Sequence, residues 1–264
     1  MKKKVLMIAA MMTILGGAAM AQTSFTLKLG GGFPMGDFAD AKVSSSNGVE
    51  RWGLLTKDEE GGAGVGFNLG AEWCIPVSSI NGLGIVVSID AFYNGLNEDL
   101  NDFFEDMRDD MDDDYDEYSL ITPSYLNFPV MVGAKYQLDV TPGIGLYGAA
   151  ALGANLRIVT PFKLEYEYSE SSGSYSYSTE RSTTLSAKAA VSFGFRLAAG
   201  VTFADKYSVE LGYYNLGAGK VKIEGEYEYD TNSNGTRTSG SDTEKETLKS
   251  ITPELFTLRL GIKF

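Results

Sequence analysis

The 264 residues contain no histidine. That absence removes the commonest general base, the commonest zinc ligand and every Ser-His or Asp-His catalytic pair, so the chain reads as a non-enzyme. Cysteine is almost as scarce. Cys74 stands alone, which excludes an internal disulfide and a cluster of thiolate metal ligands. Basic residues are outnumbered, 22 Lys and Arg against 35 Asp and Glu, and a net charge of -13 argues against any nucleic-acid partner. Beyond the N-terminus there is no long apolar run. A mean hydropathy of -0.09 is far too polar for a bundle of membrane helices. It suits a barrel in which only alternate strand residues meet lipid. Gly62-x-Gly64-x-Gly66 has no following Gly-Lys-Ser and is no phosphate loop.

What is present begins with an export signal. Lys2, Lys3 and Lys4 precede the apolar run Val5 to Leu15, and Ala19-Met20-Ala21 places small residues before a cut at Gln22. The expected organisation is a signal peptide over 1–21 and one β domain over 22–264. Cleavage would remove three lysines and no acid, taking the charge from -13 to -16.

The last residues give the clearest strand. Leu258, Leu260, Ile262 and Phe264 share one face, and Thr257, Arg259, Gly261 and Lys263 share the other. Seven similar stretches precede it. The first carries Phe25, Leu27 and Leu29 and is closed by Gly30-Gly31-Gly32-Phe33-Pro34. The others lie near 62–76, 83–94, 125–136, 143–158, 185–203 and 207–216, with Leu185 counted among the outward residues. Pro129 inside the fourth predicts a local bulge. Connections after the odd strands are long and those after the even strands are short. A barrel entered from the periplasm needs that asymmetry. The expected fold is therefore all-β, an eight-stranded antiparallel up-and-down transmembrane β-barrel with long outer loops and short periplasmic turns.

Tyr125-Leu126-Asn127-Phe128-Pro129-Val130, followed by Lys135-Tyr136, resembles the Tyr-Leu-x-Ile-Pro-Leu…Lys-Tyr pattern of PorT-like outer-membrane β-barrels. The ending on Phe264 is similar to the terminal strand that the outer-membrane assembly machinery reads. The resemblance implies an exported Gram-negative envelope protein of the bacterial outer membrane, with outer-membrane lipid and that machinery as partners. It brings no functional residues with it.

Two regions hold candidate sites. Inward parity predicts a lumen charge network of Lys28, Glu72, Asp90, Lys135, Arg157, Lys188, Arg196, Glu210 and Arg259. Eight strands leave a lumen barely wide enough for side chains. Paired charges would make an ionic plug, and the alternative is a narrow gated channel. Cys74, inward by the same parity, reads as a packed thiol. The second region is the acidic outer loop, about 95–121. Twelve acids face Arg108 alone between Leu96 and Tyr118. Leu96, Leu100, Phe103, Phe104, Met107 and Met111 recur at helical spacing, which predicts an amphipathic helix over the barrel mouth. Asp110, Asp112 and Asp114 open like a calcium loop, but Tyr115 replaces the needed glycine and Ile121 the closing glutamate. An EF-hand is excluded. The segment reads as solvated and self-repelling, with loose Ca²⁺ or Mg²⁺ binding as its alternative and no other cofactor.

The third and fourth loops alternate as well. Lys163-Leu164-Glu165-Tyr166-Glu167-Tyr168 and Val221-Lys222-Ile223-Glu224-Gly225-Glu226-Tyr227-Glu228-Tyr229 predict hairpins that continue the barrel strands outward. The functional expectation is a non-enzymatic surface protein contributing to envelope structure or contact, its surface ligand unspecified. A narrow porin or transporter for small solutes or hydrophobic ligands is the alternative.

Overall fold

The computed structural model describes residues 23–41, 44–46, 49–51, 61–172, 175–247 and 251–264, so the expected signal over 1–21 lies outside the described residues. In chain order the strands begin with β1 (Ser24–Met35), β2 (Ser44–Ser46), β3 (Val49–Arg51), β4 (Ala63–Pro76), β5 (Leu83–Leu96), β6 (Glu117–Ile121), β7 (Tyr125–Thr141) and β8 (Ile144–Val159). They continue as β9 (Phe162–Ser172), β10 (Tyr175–Ala187), β11 (Ala190–Phe203), β12 (Tyr207–Asn215), β13 (Lys222–Ser233), β14 (Thr236–Thr247) and β15 (Glu254–Lys263). The helix α1 spans Glu98–Asp114.

Eight strands close a barrel in the order β1-β15-β12-β11-β8-β7-β5-β4. Closure comes from the last strand lying antiparallel to the first, with Leu29 opposite Leu260 and Phe33 opposite Phe256. Every strand of the ring then has a neighbour on both sides for its backbone donors and acceptors, which a span of hydrocarbon requires. Period-two alternation decides the two faces. Leu29, Val65, Phe67, Leu69, Leu152, Val191, Phe193 and Leu260 are all more than half exposed outside, while Lys28, Asn68, Glu72, Asp90, Arg196 and Arg259 are buried inside. So large an apolar exterior around a charged interior suits lipid and not water. The eight strands form a transmembrane β-barrel.

Aromatic residues mark both rims. Trp73, Tyr136, Tyr207 and Phe264 stand outward near the end with short turns, and Phe33, Tyr93 and Phe256 near the end with long loops. Phe67 stacks on Tyr93 with ring centroids 5.2 Å apart. Rings of this kind settle at membrane–water boundaries.

Three details differ from the sequence expectation. β1 does not end at Gly30 but runs to Met35, with Gly30, Gly31 and Gly32 paired to both neighbours. Pro129 makes no bulge, because β5 and β7 keep one register on both sides of it, Ile89 with Val130 and Phe92 with Asn127. The missing N–H is met by unpaired rungs on the β5 side, while the β8 side pairs without a break around it. The sixth barrel strand starts at Ala190. Leu185 belongs to β10 and is buried, not outward.

Above the loop end sits a second sheet, ordered β14-β13-β10-β9-β6. The two expected hairpins are there, β9 with β10 and β13 with β14. The ladder β10–β13 joins the third loop to the fourth, and β6–β9 joins the acidic loop to the third. Glu-Tyr alternation makes the sheet two-faced. Tyr118, Tyr166, Arg181 and Tyr229 line up across four strands on one face. Glu167, Glu180 and Asp230 line up on the other.

The helix forms as its spacing predicts. The Asn97 side chain caps it by accepting from the Leu100 N–H at 3.1 Å. Leu100, Phe104 and Met111 are buried on its inner face. Leu100 and Phe104 join Phe38, Phe162, Leu185, Val221 and Ile223 in a core that covers the loop end of the barrel. Gly62 makes that approach close. It has φ of +58°, and a Cβ there would fall 2.2 Å from Leu100 Cδ1.

Candidate functional site

The lumen charges converge from every wall. β1 supplies Lys28, β4 Glu72, β5 Asp90, β7 Lys135, β8 Tyr147, β11 Arg196, β12 Glu210 and β15 Arg259. Room for them comes from glycine on the facing rungs. A Cβ on Gly70 would sit 2.1 Å from Asp90 Oδ1, and one on Gly200 would sit 2.5 Å from the Tyr147 ring.

Two carboxylates are the hubs. Glu72 accepts from Lys28 at 2.6 Å, Arg196 at 3.0 Å and Lys135 at 3.1 Å. Glu210 accepts from Lys28 at 2.7 Å, from Arg196 at 2.8 Å to each oxygen, from Arg259 Nε at 3.0 Å and from the Tyr147 hydroxyl at 3.0 Å. Arg259 also donates to Asp90 at 2.6 Å, and the Tyr214 hydroxyl donates to the other Asp90 oxygen at 3.1 Å. Each carboxylate oxygen thus has a donor, which repays part of the cost of taking these charges out of water. The arginine and lysine heads lean on rings as well. Lys135 Nζ lies 4.0 Å from the Tyr147 centroid, and the Tyr214 ring has Arg196 and Arg259 at 5.7 and 5.4 Å.

Seven of the nine residues expected in the network are in it: Lys28, Glu72, Asp90, Lys135, Arg196, Glu210 and Arg259. Lys188 is not. It lies between β10 and β11, is mostly exposed, and pairs with Glu224 of the loop-end sheet at 3.3 Å. The chain crosses there from one sheet to the other, so its strand parity no longer points at the lumen. Arg157 is inside the barrel but outside the network, with its head group donating to the Gly217 carbonyl at 3.3 Å. Tyr147 and Tyr214 are partners that the expected network leaves out. Tyr147 has the same inward parity as Arg157, but an uncharged side chain does not enter a list of charges, and Tyr214 follows the outward Tyr213 and has the inward parity of Glu210.

A polar layer lies between the network and the loop-end core. Asn68 accepts from Arg259 at 3.3 Å, and Asn155 donates to Asn127 at 3.0 Å. At the turn end the barrel opens into a cavity of about 550 Å³, lined by Thr26, Cys74, Lys135, Gln137, Lys206 and Lys263 among others. Cys74 is a partly buried residue of this wall, its Sγ 2.5 Å from where a Cβ on Gly84 would sit.

Asp110 and Asp112 are exposed on α1, and the Asp114 side chain lies outside the described residues. Among the described residues, no three acidic side chains converge as a metal site would need.

No protein-family model and no curated protein matches the chain. Solved structures similar to it include Ail, the attachment invasion locus protein of Yersinia pestis, at 14% identity and a TM-score of 0.36 over 92% of this chain and 99% of that one. A major outer membrane protein of Thermus thermophilus is similar at 12% identity and a TM-score of 0.34, over 92% of this chain and 100% of that one. The translocator domain of the autotransporter NalP from Neisseria meningitidis follows at 9% identity and 0.24, over 99% of this chain and 98% of that one.

Proposed function

We propose that this chain is a closed, non-catalytic outer-membrane β-barrel that holds a folded, acidic cap at the cell surface and acts through contacts of that cap. One observation carries the reading. Ion pairs contributed from all sides of the lumen meet at Glu72 and Glu210, so the space a solute would need is filled by side chains held to one another. The two-faced sheet and α1 then stand on the loop end, which in barrels of this kind is the outer side. The Tyr125–Val130 segment and Lys135-Tyr136 support a PorT-like placement, and the exposed terminal Phe264 supports delivery by the outer-membrane assembly machinery. The exposed acids of α1 support loose Ca²⁺ or Mg²⁺ binding that relieves their mutual repulsion.

A narrow porin or carrier is the second reading, favoured by the polar cavity that leads from the turn end as far as Lys135. Conductance of the refolded protein in a planar lipid bilayer, with and without Ca²⁺, separates the two. A silent bilayer, with folding verified by a heat-dependent gel shift, is the expected result. Discrete channel steps would overturn the closed reading, and their suppression by Ca²⁺ would make the acidic helix a gate.

A further inference from the structure

Arg157 is 3% exposed and has no carboxylate partner among the described residues. None is to spare. The charged network below it holds four cations, Lys28, Lys135, Arg196 and Arg259, against three anions, Glu72, Asp90 and Glu210, and all three are engaged. Among the described residues the guanidinium makes one hydrogen bond, to the Gly217 carbonyl, and its Nε has no acceptor. A buried cation in that condition is expensive unless something anionic lies beside it.

The neighbouring strand supplies a second donor. Asn127 on β7 is the direct cross-strand partner of Arg157 on β8, and both residues are buried on the inner side. Directly opposed residues on one face bring their side chains within contact range. Asn155 donates to the Asn127 Oδ1 at 3.0 Å, so the amide oxygen is already in use. The Asn127 Nδ2 is buried and has no acceptor. The same amide pair leaves the Asn155 Oδ1 buried without a donor, so the pair is balanced, and Arg157 is the charge on this rung that has no counter-charge among the described residues. The loop-end core of Leu100, Phe104 and Phe162 roofs the barrel above this rung.

We propose that this rung, Arg157 with Asn127, is a binding site for a small monovalent anion of chloride size, held as the counter-charge of Arg157. The site is independent of what the cap contacts and of whether the lumen conducts. A bound ion stabilises the folded barrel by mass action, because the unfolded chain has no such site.

The test is the unfolding midpoint of the folded full chain in micelles, with chloride replacing gluconate at constant ionic strength and pH. The wild-type midpoint should rise with the logarithm of chloride. Asn127→Asp places a carboxylate opposite Arg157 from within the chain, and its midpoint should be flat in chloride. Arg157→Met should be flat too, and if that variant fails to fold, the aspartate variant still decides. A wild-type midpoint indifferent to chloride, or an Asn127→Asp variant that keeps the full dependence, overturns the proposal. Bromide in place of chloride should give an anomalous scattering peak beside Arg157, and a peak elsewhere only would count against it.

Discussion

Arg196 on β11 reaches along the barrel wall to Glu210 on β12, placing one terminal nitrogen 2.8 Å from each carboxylate oxygen. Both side chains are almost wholly buried. Glu210 also holds Lys28 and Arg259, so three cations share one carboxylate. Glu210→Gln should lower the stability of the folded barrel by about 3–5 kcal/mol, because it leaves the four buried cations of the network with two carboxylates, Glu72 and Asp90. A urea titration followed by gel shift measures this. The double variant Glu210→Gln with Arg196→Met should lose less than the two single losses added together. Simple additivity would show that the two residues do not act as a pair.

Leu69 tests which face meets lipid. It stands outward near the middle of β4, between Leu29 and Ala91 on the neighbouring strands. Leu69→Arg should cost about 2–4 kcal/mol in a bilayer. The same measurement on an outward residue near a rim, Trp73→Arg, should give a smaller loss. Equal losses at both depths would argue against a bilayer midplane near Leu69.

Inside and outside are legible in the sequence because the period of a strand is two. A single correct strand assignment sorts every residue on it, and Lys28, Glu72, Asp90, Glu210 and Arg259 can be placed on that basis alone. Lys188 defeats the rule for a related reason. Alternation runs from Leu185 to Val191 without a proline or glycine to mark a change, yet the chain leaves one sheet at Ala187 and enters another at Ala190. The isolation of Arg157 is hidden because pairing depends on height in the barrel, which register sets between strands. β1 reads too short for want of side chains. Glycine carries no pattern, although Gly30 to Gly32 pair on both sides.

Phe104 tests whether the cap is a separate unit. It is almost fully buried between α1 and the second sheet, with its ring 5.9 Å from that of Phe162. Phe104→Ala should cost the cap about 3–5 kcal/mol. Hydrogen exchange of α1 and β9 should accelerate, while the barrel strands stay protected and the gel shift persists. Exchange that rises equally in barrel and cap would make the two one cooperative unit.

Acid should loosen the same region from its far side. Glu224 accepts from Lys245 and Lys188, and those hydrogen bonds hold its carboxyl below the ordinary glutamate range. A lowered folded value means stabilisation that is present above the unfolded glutamate value and lost as pH falls through the folded one. Limited proteolysis of the β13–β14 hairpin should therefore quicken on acidification through that window. Glu224→Gln should remove the step. A variant that retains the full pH step would place its origin on another carboxylate, with Asp230 and its Arg237 partner as the next pair to change.

The ladder between β10 and β13 has a consequence for the order of assembly. Thr179 and Thr231 face each other across it, yet they stand 52 positions apart along the chain, with two complete barrel strands between them. Contacts of such range form only after the intervening chain has been ordered, and they form slowly. β11 and β12 must stand side by side in the wall before β10 and β13 can meet above them. The cap is thus a reporter of completed closure: a refolding chain should gain barrel protection first and protection of the β10–β13 rungs last, and an antibody that needs both hairpins would bind finished barrels and pass over the rest.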